Sequence, residues 1–470
     1  MNKFLKRLAG FSLGPFLGTL VSIIQIPLMT QLMATSDYGI FTFYKNIILQ
    51  IPLFLCLGFD QAFIREYNVE DRKIHVFQEA IFVPLLFSLA GLGLSFVFRE
   101  PLSQWMFGQP DQGFLILLGA LWCLLGVVER FILLLVRMQE KALKYSQISI
   151  AIKLGVFCAT LFFLFLGNKT YKEAVLGLTL GEILIDLFLI FKFRAFLDFR
   201  VFDRDRALFI RMARYGLPLL IATVLQITLK NLDNLFLRHY TTAEDLGIYN
   251  AALGVSGLLN ILTSTFQTFW IPTALRWQKR AQDIKHYIFI SDISLLVLTV
   301  IFYIVMVFLP VISLLLGPSY VPVQEVLGFL LLRHMVNFLS ETTNLGIIFQ
   351  RKTHYNLVIS LITFSISFSM NWILTSRLGY RGAAISNFLS FFGFYLARTF
   401  FSRRCGFRIP QGKQVTTAIL LFGVGLVYAF NWPSKLLVLA GSLILVALIQ
   451  SSTFKTILKI RRGEGDWNFE

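Results

Sequence analysis

The segment SQISIAIKLGVFCATLFFLFLG at positions 146–167 contains a single charged residue, Lys153. At ~1.5 Å per residue, a helix of this length rises about 33 Å, which matches the ~30 Å hydrocarbon core of a bilayer. Because no water inside a bilayer can hydrogen-bond to the backbone, such a segment must satisfy its own N–H and C=O groups. The segment therefore predicts a transmembrane α-helix.

Stretches of the same kind recur along the whole chain. From their length and apolar content we predict an all-α polytopic membrane protein with about 14 transmembrane helices. The predicted spans are 9–33, 39–63, 77–98, 113–136, 146–167, 174–196, 215–237, 246–271, 287–315, 323–349, 355–376, 382–402, 415–431 and 435–454.

The composition agrees with this prediction. The chain has 470 residues, of which 56% are hydrophobic and 15% are charged. Soluble domains average about 25% charged residues. So little charge cannot cover the roughly three soluble domains that this length would suggest. The composition therefore excludes an ordinary soluble protein.

The net charge is strongly positive, since 43 Lys and Arg residues outnumber 26 Asp and Glu residues, giving +17. Most of the basic residues fall in loops on one predicted side of the membrane, beginning with Lys3, Lys6 and Arg7. Because Lys and Arg accumulate in short cytoplasmic loops, this distribution places both termini in the cytoplasm. The basic residues form no single face, so nucleic acid is not a predicted partner.

The two halves of the sequence resemble each other. Tyr38-Gly39-Ile40 after the first span corresponds to Leu246-Gly247-Ile248 after the seventh, 208 positions later. Leu166-Gly167 and Leu378-Gly379 correspond at nearly the same offset. We predict two parallel six-helix repeats at 1–205 and 206–405, followed by a helix pair and cytoplasmic tail at 406–470. Parallel repeats are a transporter architecture, with the substrate site between the repeats.

The sequence carries no local signature of an enzyme. It has no Walker A, HExxH or GxSxG pattern and no CxxC pair, so nucleotide hydrolysis, metallo-hydrolysis and serine hydrolysis are not indicated. We predict a protein without catalytic residues, cofactor or metal, and transport driven by a proton or sodium gradient.

Five basic residues lie inside the predicted spans. They are Lys45, Arg130, Lys153, Lys230 and Arg333. A charge at the bilayer centre costs about 2.5–3.5 kcal/mol on insertion scales, so these groups should face partners or water. Cations that converge on a wet cavity would suit an anionic substrate such as a phosphate or an acidic sugar. We therefore predict a cationic substrate cavity.

Two spans carry polar residues at helical spacing on one face. The members are Thr223, Gln226, Lys230 and Asp233 in the seventh span, and Arg333, Asn337, Glu341 and Asn344 in the tenth. We predict that Asp233 and Glu341 couple transport to the ion. The alternative is that Lys230 with Asp233, and Arg333 with Glu341, are neutral pairs that tie helices together. The predicted polar lining of the cavity is Gln25, Gln226, Asn260, Gln267 and Asn337.

A further acidic pair, Glu182 and Asp186, lies four residues apart on the sixth span. Two ionised carboxylates on one face would repel each other, so one of them could hold a proton or share a cation. The interpretation we favour places both near the cytoplasmic end of the helix, beside Lys192 and Arg194.

Two segments carry a family resemblance. Ser36-Asp37-Tyr38-Gly39-Ile40-Phe41 and the run LGFDQAFIREY at 57–67 resemble the first helical hairpin of Wzx-type oligosaccharide flippases. These flippases belong to the multidrug/oligosaccharidyl-lipid/polysaccharide exporter superfamily. Leu246-Gly247-Ile248-Tyr249-Asn250 and the run FQTFWIP at 266–272 resemble the matching hairpin of the second half.

The resemblance implies two six-helix bundles that alternate access to a central cavity. It implies an undecaprenyl-pyrophosphate-linked oligosaccharide as cargo, moved from the cytoplasmic to the outer leaflet of the bacterial inner membrane for surface polysaccharide biosynthesis. Membrane lipid, a polysaccharide polymerase and chain-length machinery would be the partners. Residues 415–454 could form a groove for the lipid tail. The alternatives are a cation-coupled multidrug exporter of the same superfamily and an intramembrane glycan polymerase or ligase.

Overall fold

The computed structural model describes residues 18, 21–202, 204–352, 354–462 and 464. Lys3, Lys6 and Arg7, and the start of the first predicted span at 9–17, lie outside these residues. The described chain consists of helices and connecting turns and contains no β-strand. The predicted all-α fold class is confirmed.

Residue contacts divide the chain into two compact units, Met1–Asn231 and Leu232–Glu470. The boundary falls inside one long helix. The helices that lie in the first unit, or begin there, are α1 (Val21–Leu32), α2 (Thr35–Ile48), α3 (Ile51–Leu55), α4 (Phe59–Glu66), α5 (Lys73–Val97), α6 (Arg99–Phe107), α7 (Gly113–Met138), α8 (Ala142–Leu166), α9 (Tyr171–Lys192) and α10 (Arg206–Tyr240).

The second unit begins at Leu232, within α10, and continues to Glu470. Its further helices are α11 (Ala243–Ser256), α12 (Leu259–Lys279), α13 (Ile284–Val307), α14 (Leu309–Leu316), α15 (Leu327–Thr343), α16 (Leu345–Phe349), α17 (His354–Met370), α18 (Ser376–Arg404), α19 (Gly412–Ala429), α20 (Lys435–Ile449) and α21 (Ser451–Arg461). Helices α2 and α11 have the same length of 14 residues and begin at positions 35 and 243. This is the spacing that a duplicated unit would give.

In the part of the chain that the structure describes, the predicted spans fall on helices, although fewer helices are long enough by themselves to cross a membrane. Within the described ranges, ten helices are long and apolar enough to cross a membrane, or eleven if the bent pair α20 and α21 forms one span. The eleventh and twelfth predicted spans share one helical run, His354–Arg404, which is kinked at Gly379 with φ of 58°. The tenth is divided between α15 and α16. The chain is a multi-pass membrane protein.

Local sequence explains where several helices begin. Thr170 and Glu173 form a capping box at the start of α9, with each side chain bonding to the other residue's backbone N–H. Asp205 accepts hydrogen bonds from the N–H groups of Leu208 and Ala207 at 3.0 and 2.8 Å, and these bonds lower the pKa of Asp205. The carboxylate thus satisfies two of the unpaired donors at the start of α10.

A close crossing of backbones joins α4 to α10 in the first unit. Gly58, which precedes α4, has φ of 79°, a conformation that favours glycine. A Cβ atom placed there would lie only 2.1 Å from the carbonyl oxygen of Gly216. Glycine at position 58 is therefore required both by the local conformation and by the space available.

Aromatic packing holds α4, α5 and α7 together. The rings of Phe63, Phe77 and Phe131 are fully buried and lie 5.9–6.2 Å apart between centroids, in edge-to-face arrangements. Helix α9 packs against α2, α7 and α8. This arrangement fixes the helices whose polar residues form the candidate site.

Candidate functional site

A cavity of about 870 Å³ lies within the first unit. Residues of α1, α2, α4, α7, α8 and α9 line it. This volume is in the upper part of the ~300–1,000 Å³ range that is typical of small-molecule sites. The cavity therefore has room for a head group of the size of a sugar phosphate.

Three of the five cations predicted from the sequence line this cavity. They are Lys45 from α2, Arg130 from α7 and Lys153 from α8. Gln25 from α1, which was predicted as polar lining, is also there. Arg137, about two helical turns after Arg130, adds a fourth basic group that the sequence analysis did not include. The cavity thus brings three of the predicted cations of the first unit together, while their role stays a prediction.

Arg130 differs from the two lysines because it has a carboxylate partner. Its Nε donates to Oδ2 of Asp60 at 3.0 Å, and Asp60 is 3% exposed. The Nε2 of Gln61 donates to the same oxygen at 3.0 Å. The sequence analysis missed this pair because the two residues lie on different helices. The charge of Arg130 is largely balanced, so the lysines supply most of the uncompensated positive charge.

The surroundings of the lysines keep both amino groups at the cavity. The Nζ of Lys45 lies 5.9 Å from the ring centroid of Phe41, at the outer limit of a cation–π contact. The side chain of Lys153 passes over Gly18, where an added Cβ would lie 2.5 Å from its Nζ. A larger residue at position 18 would displace this lysine.

Acidic residues also line the cavity, although the sequence analysis did not predict any acid in its lining. Glu129 and Glu182 line it, and their carboxylates cluster with that of Asp186. Among the described residues, neither Glu182 nor Asp186 forms an ion pair with Lys192 or Arg194, and the position of the two acids near the cytoplasmic end of the helix stays a prediction. Those two basic groups instead lie over the rings of Phe188 and Phe191. The i, i+4 spacing did indicate that Glu182 and Asp186 share a face. The third acid of the group, Glu129, comes from another helix.

The remaining predicted residues lie elsewhere. Gln226 and Lys230 are exposed on α10, Asn260 is exposed on α12, and Gln267 and Asn337 are half-buried on α12 and α15. None of these five lines the cavity of the first unit.

In the second unit, Asp233 forms the centre of a buried polar network. It is 4% exposed and accepts hydrogen bonds from Tyr249 Oη and Asn371 Nδ2, both at 2.8 Å, and from Asn387 Nδ2. The guanidinium of Arg333 interacts with it electrostatically. The surrounding amide and hydroxyl groups all donate to this carboxylate and stabilise its negative charge, whereas burial disfavours that charge.

Arg333 and Glu341, the second pair considered from the sequence, do not pair with each other. Arg333 stacks on Phe391 at 4.3 Å from the ring centroid. Glu341 is 5% exposed and pairs with Arg398 of α18, which also donates to Ser340. Glu341 is therefore neutralised in an ion pair, as the alternative interpretation held, but its partner is Arg398 and not Arg333.

Comparison with known proteins relates the chain to transporters. The family model described as polysaccharide biosynthesis protein matches residues 5–278. The structure of the lipid II flippase MurJ in an inward closed conformation is similar, with a TM-score of 0.68, 14% identity, and coverage of 95% of this chain and 99% of that one. No protein of curated function matches the chain in sequence.

Two transporters of the MOP superfamily have the same fold. An inward-facing multidrug resistance MATE family transporter aligns with a TM-score of 0.60 and 13% identity over 85% of this chain and 94% of that one. A transporter from Pyrococcus furiosus, described as having a binding pocket of reverse polarity, aligns with a TM-score of 0.53 and 14% identity over 85% and 96%. The family model confirms the family resemblance inferred from the sequence, and the structures confirm the fold.

Proposed function

Because this chain belongs to the polysaccharide biosynthesis protein family, we propose that it is a flippase for an undecaprenyl-pyrophosphate-linked oligosaccharide. The cargo would move from the cytoplasmic to the outer leaflet of a bacterial inner membrane by alternating access. It would then serve the assembly of a surface polysaccharide, such as O-antigen, capsule or exopolysaccharide. The transport itself would form and break no covalent bond.

The observation that carries this proposal is the clustering of Lys45, Arg130 and Lys153 on one cavity. A pyrophosphate carries several negative charges, and a cavity lined by cations can replace the water that the diphosphate loses. A multidrug exporter of organic cations would be expected to have the opposite polarity. Four basic residues of the lining outnumber its two acids, Glu129 and Glu182, and this balance favours an anionic cargo.

The cavity also offers groups that suit a sugar. Trp122 lines the cavity, and its Nε1–H has no hydrogen-bond partner among the described residues. Gln25 and Gln61 add amide groups to the same lining. The amides can bind the hydroxyl groups of a sugar, and the edge of the indole adds apolar surface. The combination fits a head group that has both phosphate and sugar parts.

We place the energy coupling at Asp233, whose network in the second unit holds a buried carboxylate. Both termini would be cytoplasmic, and residues 415–454 would offer a surface to the lipid tail. Membrane lipid would surround the protein, and a polymerase with its chain-length machinery would take up the flipped product.

The test uses Lys45→Gln with Lys153→Gln, against a matched control that removes two exposed lysines outside the cavity, Lys169→Gln with Lys279→Gln. Purified protein in liposomes should move a fluorescent undecaprenyl-pyrophosphate-linked oligosaccharide between leaflets, and the cavity variant should lose at least about tenfold in rate, as expected for lost charge-assisted hydrogen bonds. Both variants should remain inserted.

Equal rates for the two variants would refute the assignment of the cavity. Drug resistance on overexpression, without lipid movement, would favour the exporter. Glycosyl transfer by the purified protein would favour the polymerase or ligase.

A further inference from the structure

Three carboxylates meet in the first unit beside the cationic cavity. Glu129 comes from α7, and Glu182 and Asp186 come from α9. One oxygen of each lies within 4.8 Å of the others. We call these three residues the acidic cluster. At such distances in a low-dielectric interior, three ionised carboxylates would repel one another strongly.

Burial makes full ionisation of the acidic cluster still less favourable. Asp186 is 0% exposed and Glu182 is 7% exposed. Both Oδ atoms of Asp186 and Oε2 of Glu182 have no hydrogen-bond partner within the part of the chain that the structure describes. Unpaired buried oxygens are rare in proteins and call for an explanation. A proton shared between these carboxylates would give a bound O–H donor to oxygens that otherwise lack one.

The other charged and titratable groups at the adjoining cavity come from four helices. They are Lys45 from α2, Asp60 from α4, Arg130 and Arg137 from α7, and Tyr145 and Lys153 from α8. Arg130 is occupied by Asp60. Lys45 interacts electrostatically with Glu182, and Arg130 interacts with Glu129 as well as with Asp60, so two positive charges face four acids. The cluster therefore retains an excess of negative charge unless it binds protons.

We propose that the acidic cluster is a proton-binding site, and that an anion bound in the adjoining cavity causes it to take up a proton. The second half of this proposal rests on the proposed function, because it takes the cavity to hold the anionic cargo. Lys45 connects the two, since it lines the cavity with Lys153 and interacts electrostatically with Glu182 of the cluster. An anion that engages the lysines also withdraws their field from the carboxylates. Cargo and proton would then bind together, which reduces the net negative charge that the cargo brings into the first unit; the ion that drives transport would bind separately, at Asp233 as proposed above.

The direction of the coupling follows from linkage. A bound anion disfavours the ionised carboxylates, so the cluster holds its proton to a higher pH when the cavity is occupied. By reciprocity, the protonated cluster binds the anion more tightly. Affinity is then greatest at low pH and falls as pH rises through the titration range of the cluster. A unit charge at about 8 Å, in a medium of effective dielectric constant ~20, changes proton affinity by about 30-fold.

The first measurement detects protons on the cluster directly. The purified wild-type protein at pH 7 should show the infrared band of protonated carboxyl groups. The variant Glu129→Gln, Glu182→Gln, Asp186→Asn should lose it. A control that neutralises three exposed acids, Glu100→Gln, Asp111→Asn and Glu244→Gln, should keep it. If the triple variant does not fold, Asp186→Asn alone should still weaken the band. An unchanged band would overturn the proton site.

The second measurement tests the coupling, with farnesyl pyrophosphate as the probe. Calorimetry in buffers of different ionisation enthalpy gives the protons taken up per probe bound. Wild type and control should take up more protons than the cluster variant. Protons that bind to the probe itself contribute equally in all three proteins, so the difference comes from the cluster. The affinity of wild type and control should fall by up to about 30-fold as pH rises, with a smaller fall in the cluster variant.

Equal proton uptake by wild type and the cluster variant, with probe bound to both, would overturn the coupling while leaving the cationic cavity intact. No binding of the probe by wild type would overturn the coupling together with the cargo assignment. The infrared band would then decide the proton site by itself.

Discussion

The ion pair between Arg130 and Asp60 gives a prediction whose size follows from its burial. The side chain of Asp60 is 5% exposed and that of Arg130 is 32% exposed. Replacing Arg130 by Gln leaves a buried carboxylate, which keeps only the hydrogen bond from Gln61. Replacing both partners, with Asp60→Asn, removes the charge as well.

Breaking a buried pair by removing one partner costs about 3–5 kcal/mol. Because water reaches part of Arg130, we expect the lower end for Arg130→Gln, about 3 kcal/mol of unfolding free energy. The double variant should lose only about 1 kcal/mol, since two neutral amides can hydrogen-bond in the same space. The coupling energy between the two positions is then at least about 2 kcal/mol.

The assay is reversible unfolding of the purified protein in mixed micelles, applied to all four members of the cycle. The control cycle uses Arg200 and Asp198, whose side chains are 91% and 56% exposed at 4.0 Å. Exposed pairs contribute little, so its coupling should be below about 0.5 kcal/mol. If the Arg130 and Asp60 effects simply add, the pair does not stabilise the unit and the balanced charge assigned to Arg130 is wrong.

Three further predictions concern other sites. Gly58→Ala should destabilise the protein by at least about 2 kcal/mol, because of the positive φ at this position and the nearby backbone oxygen. The control Gly93→Ala, which has open space around it, should not destabilise the protein. Thermal unfolding of the two variants makes the comparison. Glu341→Gln should cost about 2–3 kcal/mol in the same assay by leaving Arg398 unpaired. Asp233→Asn should abolish the acceleration of lipid movement by an ion gradient in liposomes while farnesyl pyrophosphate still binds; retained acceleration would move the coupling site elsewhere.

The sequence predicts the helices well because one physical rule dominates inside a bilayer. An apolar stretch of about 20 residues that crosses the bilayer satisfies its backbone groups as a helix, and the predicted spans fall on helices wherever the structure describes them. The interruptions are harder to predict, because they depend on backbone conformation. Gly379 has φ of 58°, and α15 ends at Thr343 before the short α16 begins. Nothing in apolar content distinguishes a span with such a break from a continuous one.

Part of the candidate site could also be predicted from the physics of the bilayer. A cation inside a span is so costly that its presence alone indicates a cavity or a partner, and Lys45, Arg130 and Lys153 do line one cavity. The same rule gives no information on which of the two explanations applies. For Arg130 both do, since it reaches the cavity and pairs with Asp60. The rule therefore locates charged residues more reliably than it assigns their roles.

Partners could not be predicted from spacing along a single helix. Residues at i, i+3 and i+4 share a face, but the group that neutralises a buried charge comes from the helix opposite. Glu341 shares a face with Arg333 and pairs with Arg398 of α18. Glu182 and Asp186 share a face, and the third acid of their cluster, Glu129, comes from α7. Helical periodicity thus indicates where polar contacts form, and only the packing of helices determines whether a carboxylate there meets a cation or, as in the acidic cluster, other acids.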